Sequence, residues 1–353
     1  MNIDLKKFKD AIKLVSLNKT DKINLIVKNN TLILCSNGDG FIKKYVKIQN
    51  DASEYFKIVL NSETLKLLEK IEGKSCEINV DDFANIKIDK RIIKIYTKIN
   101  DFMEYSSLKE IEKNTINATE LLRLLSVRYA VDKKSVTFLK RIYFNKADVI
   151  ASDSFRMSIK SKDGLNFQND FTVNYKDIDV LVKLIKETLK QEKNKKNDFD
   201  IDIVYCGNYV KFNSEYFTYE CEIEREYFKY KLILKNKGDN NEIKIINKKI
   251  LIQELKTILS IKSERYIIGL SKDDNNNLNI SYNNKNIPVN SIIIDTFWKN
   301  FNDEIHINAR YLLDSLNNIG ADEIILSYHN SKTPLFLTNR NDIDIIMPIK
   351  KID

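Results

Sequence analysis

The sequence has few of the residues that bind metals, form disulfides or interrupt secondary structure. Its 353 residues include 4 Cys, 2 His, 8 Gly and 3 Pro. The cysteines are far apart along the chain, and none has the CxxC spacing typical of zinc sites; they are Cys35, Cys76, Cys206 and Cys221. They are best interpreted as buried, reduced thiols of a cytosolic protein. We therefore expect no metal site and no cofactor.

Long apolar runs are missing as well. No stretch approaches the roughly 18 apolar residues of a membrane-spanning helix, and the N-terminal ten residues mix charged and apolar side chains too closely for a secretory signal. A hydrophobic content of 43% with 31% charged residues is typical of a soluble globular protein. We expect a cytoplasmic protein with no membrane partner and more than one domain, because the chain is too long for one ordinary core.

Sequence motifs of common enzymes are also absent. The chain has no phosphate-binding GxxxxGK[ST] loop, no GxSxG and no HExxH. Two acidic pairs, Asp81-Asp82 and Asp273-Asp274, could serve a metal-dependent nuclease. The first pair lies between two predicted strands and the second reads as a polar hairpin turn without the glycine of a calcium loop. A nuclease stays an alternative, but we expect no catalytic residue.

The charge balance is moderately basic. The formal net charge is +8, which suits a protein that meets an anionic partner. Basic residues recur on the exposed faces of predicted helices without any base-reading motif, a pattern typical of contact with phosphates rather than with a base sequence. Acidic residues share these faces, so a mixed solvated surface is the alternative. The candidates are Lys6, Lys9, Lys13, Lys66, Lys70, Arg123, Arg128, Lys186 and Arg310, with the loop residues Lys133 and Lys134.

One pattern occurs three times along the chain: an apolar strand, an asparagine, an amphipathic helix and another strand. The asparagines Asn61, Asn174 and Asn308 suit the N-cap position, where the side-chain oxygen accepts a backbone N–H. A second helix precedes each of these at a nearly constant distance, with predicted caps at Asp4, Asn117 and Asn247. The repeats predict an α+β fold of three domains, 1–114, 115–240 and 241–353, each with two helices packed on antiparallel sheets.

Two short segments resemble those of a known family. Residues 151–158, ASDSFRMS, are similar to an A-T-D-x-H-R-L segment, and residues 345–350, IIMPIK, resemble a terminal strand of the type hydrophobic-hydrophobic-x-Pro-hydrophobic-Arg. Both patterns belong to the bacterial DNA sliding clamp, the beta subunit of DNA polymerase III, whose repeated domains the chain also resembles. Phe155 stands where the family has histidine, and Leu234 where it has proline.

The resemblance implies a non-catalytic processivity factor. Such a protein encircles double-stranded DNA as a homodimeric ring of clamp-type domains, tethers the DNA polymerase and is loaded by a clamp loader. The basic side chains named above would then face the DNA. The family's groove between the second and third domains binds partner peptides, and the resemblance assigns to it Ser152, Phe155, Arg156, Met157, Leu234, Ile345, Met347, Pro348 and Ile349.

Within this groove we expect an apolar floor and a polar rim. The floor would consist of the methionines, Leu234 and the residues of the terminal strand. On the rim, Ser152 and Phe155 would flank Arg156, whose guanidinium would be offered to the peptide.

Ring closure would require a head-to-tail contact between two chains. The family joins the third domain of one chain to the first of the next by edge-strand pairing. We expect these edges within residues 265–270 on one side and 78–99 on the other. The alternative is a clamp-like interaction protein that binds partner peptides without encircling DNA.

Overall fold

The computed structural model describes residues 2–18, 22–28, 31–37, 40–47, 56–80, 84–95, 109–191, 198–235, 237, 241–261, 263, 265–275, 277–284, 287–293, 296–299 and 304–350. The helices are α1 Leu5–Val15, α2 Ser62–Lys70, α3 Ala118–Leu124, α4 Tyr175–Gln191, α5 Lys231–Leu234, α6 Lys248–Ser260 and α7 Ala309–Asn318. A 3₁₀ segment, Leu125–Ala130, follows α3 directly.

Short strands make up most of the remaining structure. They are β1 Asn2–Asp4, β2 Lys22–Lys28, β3 Thr31–Asn37, β4 Phe41–Lys47, β5 Phe56–Asn61, β6 Ser75–Val80, β7 Ala84–Ile88, β8 Arg91–Ile95, β9 Glu112–Asn117, β10 Arg141–Lys146, β11 Asp148–Ser152, β12 Arg156–Ser161, β13 Phe167–Asn174, β14 Asp200–Tyr205, β15 Tyr209–Asn213, β16 Phe217–Glu224, β17 Asn241–Ile245, β18 Ile267–Lys272, β19 Leu278–Asn284, β20 Ile287–Ile293, β21 Thr296–Lys299, β22 Ile305–Asn308, β23 Ile324–Tyr328, β24 Leu335–Asn339 and β25 Asp342–Ile346.

The predicted helix starts are confirmed. Asp4 accepts the backbone N–H of Lys7 at 2.9 Å, and Asn61 accepts that of Thr64 at 2.9 Å. Asn117, Asn247 and Asn308 cap α3, α6 and α7 in the same way, and α4 begins directly after Asn174. Each cap satisfies a backbone donor that the first helical turn leaves without a partner.

Strand pairing repeats three times, which confirms the predicted repeat and the α+β class. The strand before the first helix of each repeat pairs with the strand after the second helix: β1 with β6, β9 with β14 and β17 with β23. The strand after the first helix pairs with the strand before the second, and the cap asparagine is always in register. The partners are Lys22 with Asn61, Arg141 with Asn174 and Ile267 with Asn308.

The chain divides into two compact units. The first unit comprises Met1–Leu122 and Lys176–Glu224, and the second comprises Arg123–Tyr175 and Arg225–Asp353. The predicted middle domain, 115–240, contributes residues to both units. The three-domain boundaries therefore stay a prediction.

The first unit contains two antiparallel sheets. The larger has the strand order β5-β2-β3-β4-β16-β15-β14-β9, in which β4 pairs with β16 through residues 41–44 and 217–220. The smaller has the order β1-β6-β7-β8. Helix α1 packs its apolar side, including Leu5, Phe8 and Ile12, into the core of this unit.

The second unit has a matching construction. Its larger sheet has the order β21-β17-β23-β24-β25-β12-β11-β10-β13, and its smaller sheet the order β20-β19-β18-β22. Strand β12 pairs antiparallel with β25, so that Arg156 lies opposite Ile346 and Lys160 opposite Asp342. This pairing places the two segments that carry the family resemblance side by side.

One of the two predicted edge strands is wrong. For the other, the predicted span of residues reduces to a single terminal strand. Residues 265–270 mostly form β18, which lies between β19 and β22 and so presents no open edge. Among the described strands of that sheet, β20 is terminal. In the span 78–99, β6 and β7 are interior and β8 is terminal, whereas residues 96–99 lie outside the described part of the chain.

Charged side chains are buried beneath the pairing of β12 with β25. The Lys160 ammonium is fully buried and donates to Asp342 Oδ2 at 2.9 Å and to the Asn318 carbonyl at 2.9 Å. Arg123 binds the other carboxylate oxygen of Asp342 and donates to the Ser161 carbonyl at 2.6 Å. Because removing one partner would leave a buried charge uncompensated, this network fixes which residues can face each other across the two strands.

Asp344 lies fully buried on the same strand, next to the hydroxyls of Ser158 and Tyr129. Burial raises the pKa of its carboxyl from 3.8 to about 6, and the nearby Lys160 ammonium offsets only part of that effect. The folded protein therefore binds more protons than the unfolded chain between these two pKa values. Stability from this group is highest at acidic pH and is lost as the pH rises through about 6.

We predict that Asp344→Asn stabilises the protein at pH 7, by up to roughly 3 kcal/mol, because it removes the cost of ionising a buried carboxyl. The free energy of unfolding, measured by urea titration between pH 4 and 7, should fall with rising pH in the wild type and stay flatter in the variant. Asp342→Asn is the matched control and should destabilise the protein, because it weakens the ion pairs with Lys160 and Arg123. Parallel pH profiles for wild type and Asp344→Asn would contradict the prediction.

Candidate functional site

The segment ASDSFRMS forms a tight hairpin between β11 and β12. Ser152 Oγ donates to the Arg156 carbonyl at 2.8 Å, and Asp153 Oδ1 accepts the backbone N–H groups of Phe155 and Arg156, each at 3.0 Å. Ser154 has a φ of 76°, a left-handed conformation that this side-chain bonding holds in place. The turn leaves Phe155 at its tip with 62% of its surface exposed.

The terminal strand continues past the hairpin and is attached to it. The Met347 N–H donates to the Phe155 carbonyl at 2.8 Å. Side chains alternate along this strand: Ile345 belongs to a cluster with Met157 and Phe336, whereas Ile346 packs into the core around α6 and α7. The chain then turns away, because the Ile349 N–H donates to the His306 carbonyl at 2.8 Å.

A cavity of about 240 Å³ opens between these two segments and a third one. All of its lining residues belong to the second unit. They are Phe138, Leu139, Ser152, Ser154, Arg156, Met157, Phe228, Ile233, Ile345 and Met347. We call this cavity and its rim the groove. The lining is mainly apolar with two serines, a composition typical of sites that bind apolar side chains.

The third segment, residues 227–233, is held by stacked aromatic rings. Tyr227 stacks on Tyr143 with ring centroids 4.6 Å apart and contacts Phe228 and Phe138 at 4.7 and 5.7 Å. Tyr230 donates its hydroxyl to Asp148 Oδ2 at 2.7 Å. Burial and this carboxylate raise the pKa of Tyr230, so the hydroxyl stays a neutral donor and the segment stays attached to β11.

Arg156 is bound by several groups of the protein itself. Its guanidinium donates to Asp153 Oδ2 at 2.9 Å, to Asp314 Oδ2 at 2.5 Å and to the Tyr129 carbonyl at 3.0 Å. The same group lies over the rings of Tyr129 and Tyr311, at 5.2 and 4.5 Å from their centroids. These bonds use three of the five guanidinium N–H groups, and the predicted contact of Arg156 with a peptide stays a prediction. Arg156 fixes the hairpin to α7, and its charge is neutralised.

The structure brings most of the predicted groove residues together. Ser152, Arg156, Met157, Ile345 and Met347 line the cavity, and Phe155 stands exposed at the hairpin tip. Leu234, Pro348 and Ile349 are not among the residues that line the cavity, and their contact with a peptide stays a prediction.

Local geometry explains why these three residues do not line the cavity. Strand β25 ends at Ile346, one residue before the last lining residue, and the chain beyond it is directed toward His306. In the short helix α5, Ile233 lines the cavity, whereas Leu234 packs against the cluster that contains Met157 and Ile345 without lining the cavity itself.

Sequence reasoning missed half of the cavity wall. Phe138, Leu139, Ser154, Phe228 and Ile233 were not among the predicted residues. The run Tyr227-Phe228-Lys229-Tyr230 just before α5 was an available signal, because three aromatic residues in four positions suggest a packed surface.

Most of the predicted basic residues in the first unit are exposed. They are Lys6, Lys13, Lys66, Lys70 and Lys186. Lys9 differs, because its ammonium donates to the carbonyls of Glu69 and Ile71 and so completes the C-terminal end of α2. Lys9 is therefore engaged within the protein, and its contact with DNA phosphates stays a prediction.

In the second unit, two of the predicted arginines are bound within the protein. Arg123 pairs with Asp342 while its side chain stays 30% exposed, and its contact with DNA stays a prediction. Arg128 is half-buried and donates to the Leu125 carbonyl at 3.2 Å. Lys133, Lys134 and Arg310 are exposed, and Arg310 lies over the Tyr266 ring at 4.2 Å from its centroid.

The acidic pair Asp273-Asp274 lies in the predicted turn. Asp273 Oδ1 accepts the backbone N–H groups of Asn275 at 2.9 Å and Asn277 at 2.6 Å, which places it as a turn residue between β18 and β19. Asp81-Asp82 lies outside the described residues. Within the described part of the chain, no group of three or more His, Cys, Asp or Glu side chains could hold a metal ion.

The helices of the described residues are short or amphipathic. None of them has the length and apolar character that a bilayer crossing requires.

Comparison with known proteins places this fold. Residues 237–350 match the family described as DNA polymerase III beta subunit, C-terminal domain. Over 99% of its length the chain is similar to the solved structure of the DNA polymerase III subunit beta from Pseudomonas aeruginosa, at 19% identity and a TM-score of 0.84, covering 100% of that chain. A search of curated proteins finds no match.

Two further solved structures give the same result. The beta subunit from DNA polymerase of Streptococcus pyogenes is 14% identical, with a TM-score of 0.84 and 99% of each chain covered. The sliding clamp from Bartonella birtlesii LL-WM9 is 16% identical, with a TM-score of 0.81 and 99% of each chain covered. The chain therefore has the sliding-clamp fold. Within it, residues 237–350 carry the sequence pattern of the DNA polymerase III beta subunit, and the resemblance predicted from the sequence is confirmed.

Proposed function

We propose that this protein is a DNA sliding clamp, a non-catalytic processivity factor that encircles duplex DNA and tethers a DNA polymerase and other partners. The observation that carries the proposal is the similarity to sliding clamps over 99% of the chain, with nearly all of each relative covered. A match limited to one domain would suit many interaction proteins. A match over the full length of the chain supports the role of a complete sliding clamp.

Strand pairing supports closure into a homodimeric ring. In the first unit, the fourth strand of repeat one, β4, pairs with the last strand of repeat two, β16. In the second unit, β12 of repeat two pairs in the same way with β25 of repeat three. The corresponding strand of repeat three is β20, and the last strand of repeat one is β8. Both are terminal among the described strands of their sheets.

We therefore propose that β20 of one chain pairs with β8 of the next. Such a contact is head-to-tail, and it closes when two chains complete the circle. An exposed strand edge that is not covered invites uncontrolled pairing, so a specific partner strand is the expected solution. Ile92 on β8 is 60% exposed, which suits a residue covered in a dimer.

The groove supports docking of partner peptides from the polymerase and the clamp loader. Its apolar lining joins the hairpin, the terminal strand and the aromatic segment, and the cavity is open to solvent at the exposed Met347. The exposed lysines of α1, α2 and α4 support a separate, sequence-independent association with DNA. Such contacts depend on counterion release and leave the duplex free to slide.

The ring proposal predicts that Ile92→Glu converts a dimer into a monomer, because a carboxylate placed on the joint resists desolvation. Light scattering at micromolar protein should give twice the chain mass of 41.3 kDa for the wild type and a single chain mass for the variant. Ile250→Glu is the matched control, since Ile250 is also an exposed isoleucine and lies on α6. A wild-type monomer, or loss of the dimer in both variants, would count against the β8–β20 joint.

The clamp proposal predicts topological retention on DNA. Protein loaded onto nicked circular duplex should dissociate far more slowly than from the same DNA after linearisation, because a closed ring leaves only over a free end. Gel filtration of the protein–DNA mixture, with and without linearisation of the DNA, measures the fraction of protein that stays bound in each case. Equal dissociation from both substrates would favour the alternative of an interaction protein that does not encircle DNA.

The groove proposal predicts that Met347→Ala weakens binding of a peptide with a hydrophobic pair near its C-terminal end. The wild-type dissociation constant should be about a micromolar, and losing the methionine side chain should raise it roughly tenfold. Fluorescence anisotropy with labelled peptide measures both values. Ile250→Ala is the control, because Ile250 and Met347 are 41% and 40% exposed. Equal affinities for a folded Met347→Ala would place the partner site elsewhere.

A further inference from the structure

The third wall of the groove carries a dense set of lysines. Residues 227–237, YFKYKLILKNK, include two cavity-lining residues, Phe228 and Ile233, and no acidic residue. Four lysines alternate with the apolar residues of this segment. We call Lys229, Lys231, Lys235 and Lys237 the lysine rim.

The charges of the lysine rim are not neutralised within the described structure. All four lysines are exposed. Among the described residues none of them forms an ion pair with a carboxylate, and Lys231 instead lies over the Tyr230 ring at 5.8 Å from its centroid. Uncompensated charge beside a low-dielectric cavity attracts ligands of opposite sign.

The groove has another cation, but it is already bound. Arg156 contributes to the lining, yet its guanidinium donates to Asp153, Asp314 and the Tyr129 carbonyl. Two carboxylates already balance its positive charge, so a further carboxylate entering the groove gains little from it. The lysine rim is therefore the counter-charge that an acidic ligand meets first.

The cavity itself accepts apolar groups. Its volume of about 240 Å³ lies below the roughly 300–1,000 Å³ of sites for small molecules and suits a few apolar side chains of a peptide. The polar side chains of its lining that are not engaged in ion pairs are the neutral Ser152 and Ser154. A peptide that places an apolar side chain in the cavity and a negative charge beside the lysine rim would therefore match this surface.

We infer that the lysine rim selects partner peptides in which acidic residues flank the hydrophobic pair that enters the groove. The inference deepens the proposed peptide-binding function and rests on it. Charge complementarity at an exposed rim acts on specificity and on the association rate. Salt should suppress it, because exposed charges are screened over about 8 Å at physiological ionic strength.

The test compares two labelled peptides of about 12 residues that share one Leu-Phe pair near the C-terminus. Aspartates flank the pair in one peptide, and asparagines flank it in the other. Fluorescence anisotropy with the full-length protein should show the acidic peptide binding about tenfold more tightly at low salt. The difference should shrink to about twofold or less in roughly 0.5 M NaCl.

A rim variant, K229Q/K231Q/K235Q/K237Q, separates the rim from the cavity. It should lose the preference for the acidic peptide and keep the wild-type affinity for the neutral one. The control variant, K74Q/K90Q/K256Q/K272Q, removes the same charge from exposed lysines elsewhere and should keep the preference. Circular dichroism and thermal melting verify that both variants are folded.

The outcomes distinguish this inference from the function on which it rests. Equal wild-type affinities for both peptides at low salt, or a preference that survives in the rim variant, overturn the inference alone. Failure of both peptides to bind overturns it together with peptide docking in the groove. A rim variant that keeps the peptide preference but loses retention on circular duplex would assign these lysines to DNA, and the inference would be wrong.

Discussion

The antiparallel pairing of β12 with β25 is the constraint on which the candidate site depends. It joins residues 156–160 to residues 342–346, which are far apart along the chain. Because side chains alternate across a sheet, one register decides that Ile345 faces the groove and Ile346 the opposite core. The same register places Lys160 opposite Asp342. A slip by one residue would bury a lysine without its carboxylate and turn the groove residues to the wrong face.

Electrostatics under these strands restrict what the groove can recognise. Arg156 and Lys160 are both held by aspartates, so the permanent cations closest to the cavity act within the protein. The interior of the groove is left apolar with two serines. The proposed preference for charge comes from its periphery, where the lysine rim lies close to Phe228 and Ile233 along the chain. The buried ion pairs and the proposed recognition thus involve different basic residues.

The threefold repeat uses one kind of strand joint more than once. One kind of strand joint occurs in each unit, as β4 with β16 and as β12 with β25. The third copy of its two strands, β20 and β8, has one described neighbour each, β19 and β7. Because the same joint forms twice within one chain, we propose that it forms a third time between two chains. The proposed ring would then use a joint that each chain already forms twice within itself.

Local sequence signals determined much of this protein. Asp4, Asn61 and Asn308 mark helix starts through a short-range bond that any sequence of this kind can form, and the order of strands and helices follows from the same periodic patterns. The hairpin segment and the terminal strand could be assigned to one groove through their resemblance to a family. The aromatic run at residues 227–230 was a visible signal for a packed surface, but its partner could not be foreseen, because Tyr227 and Tyr143 meet only after the sheet has formed.

Tertiary structure alone decided the direction of the charged side chains. Arg156, Arg123 and Lys9 read as exposed cations in the sequence, but each finds acceptors remote in the chain: Asp314, Asp342 and the carbonyl of Ile71. A long basic side chain has many rotamers of similar energy, and the partner that selects one is provided by another element of the fold. Periodicity therefore predicts which face of a helix carries such a residue, whereas only packing determines which group its charge contacts.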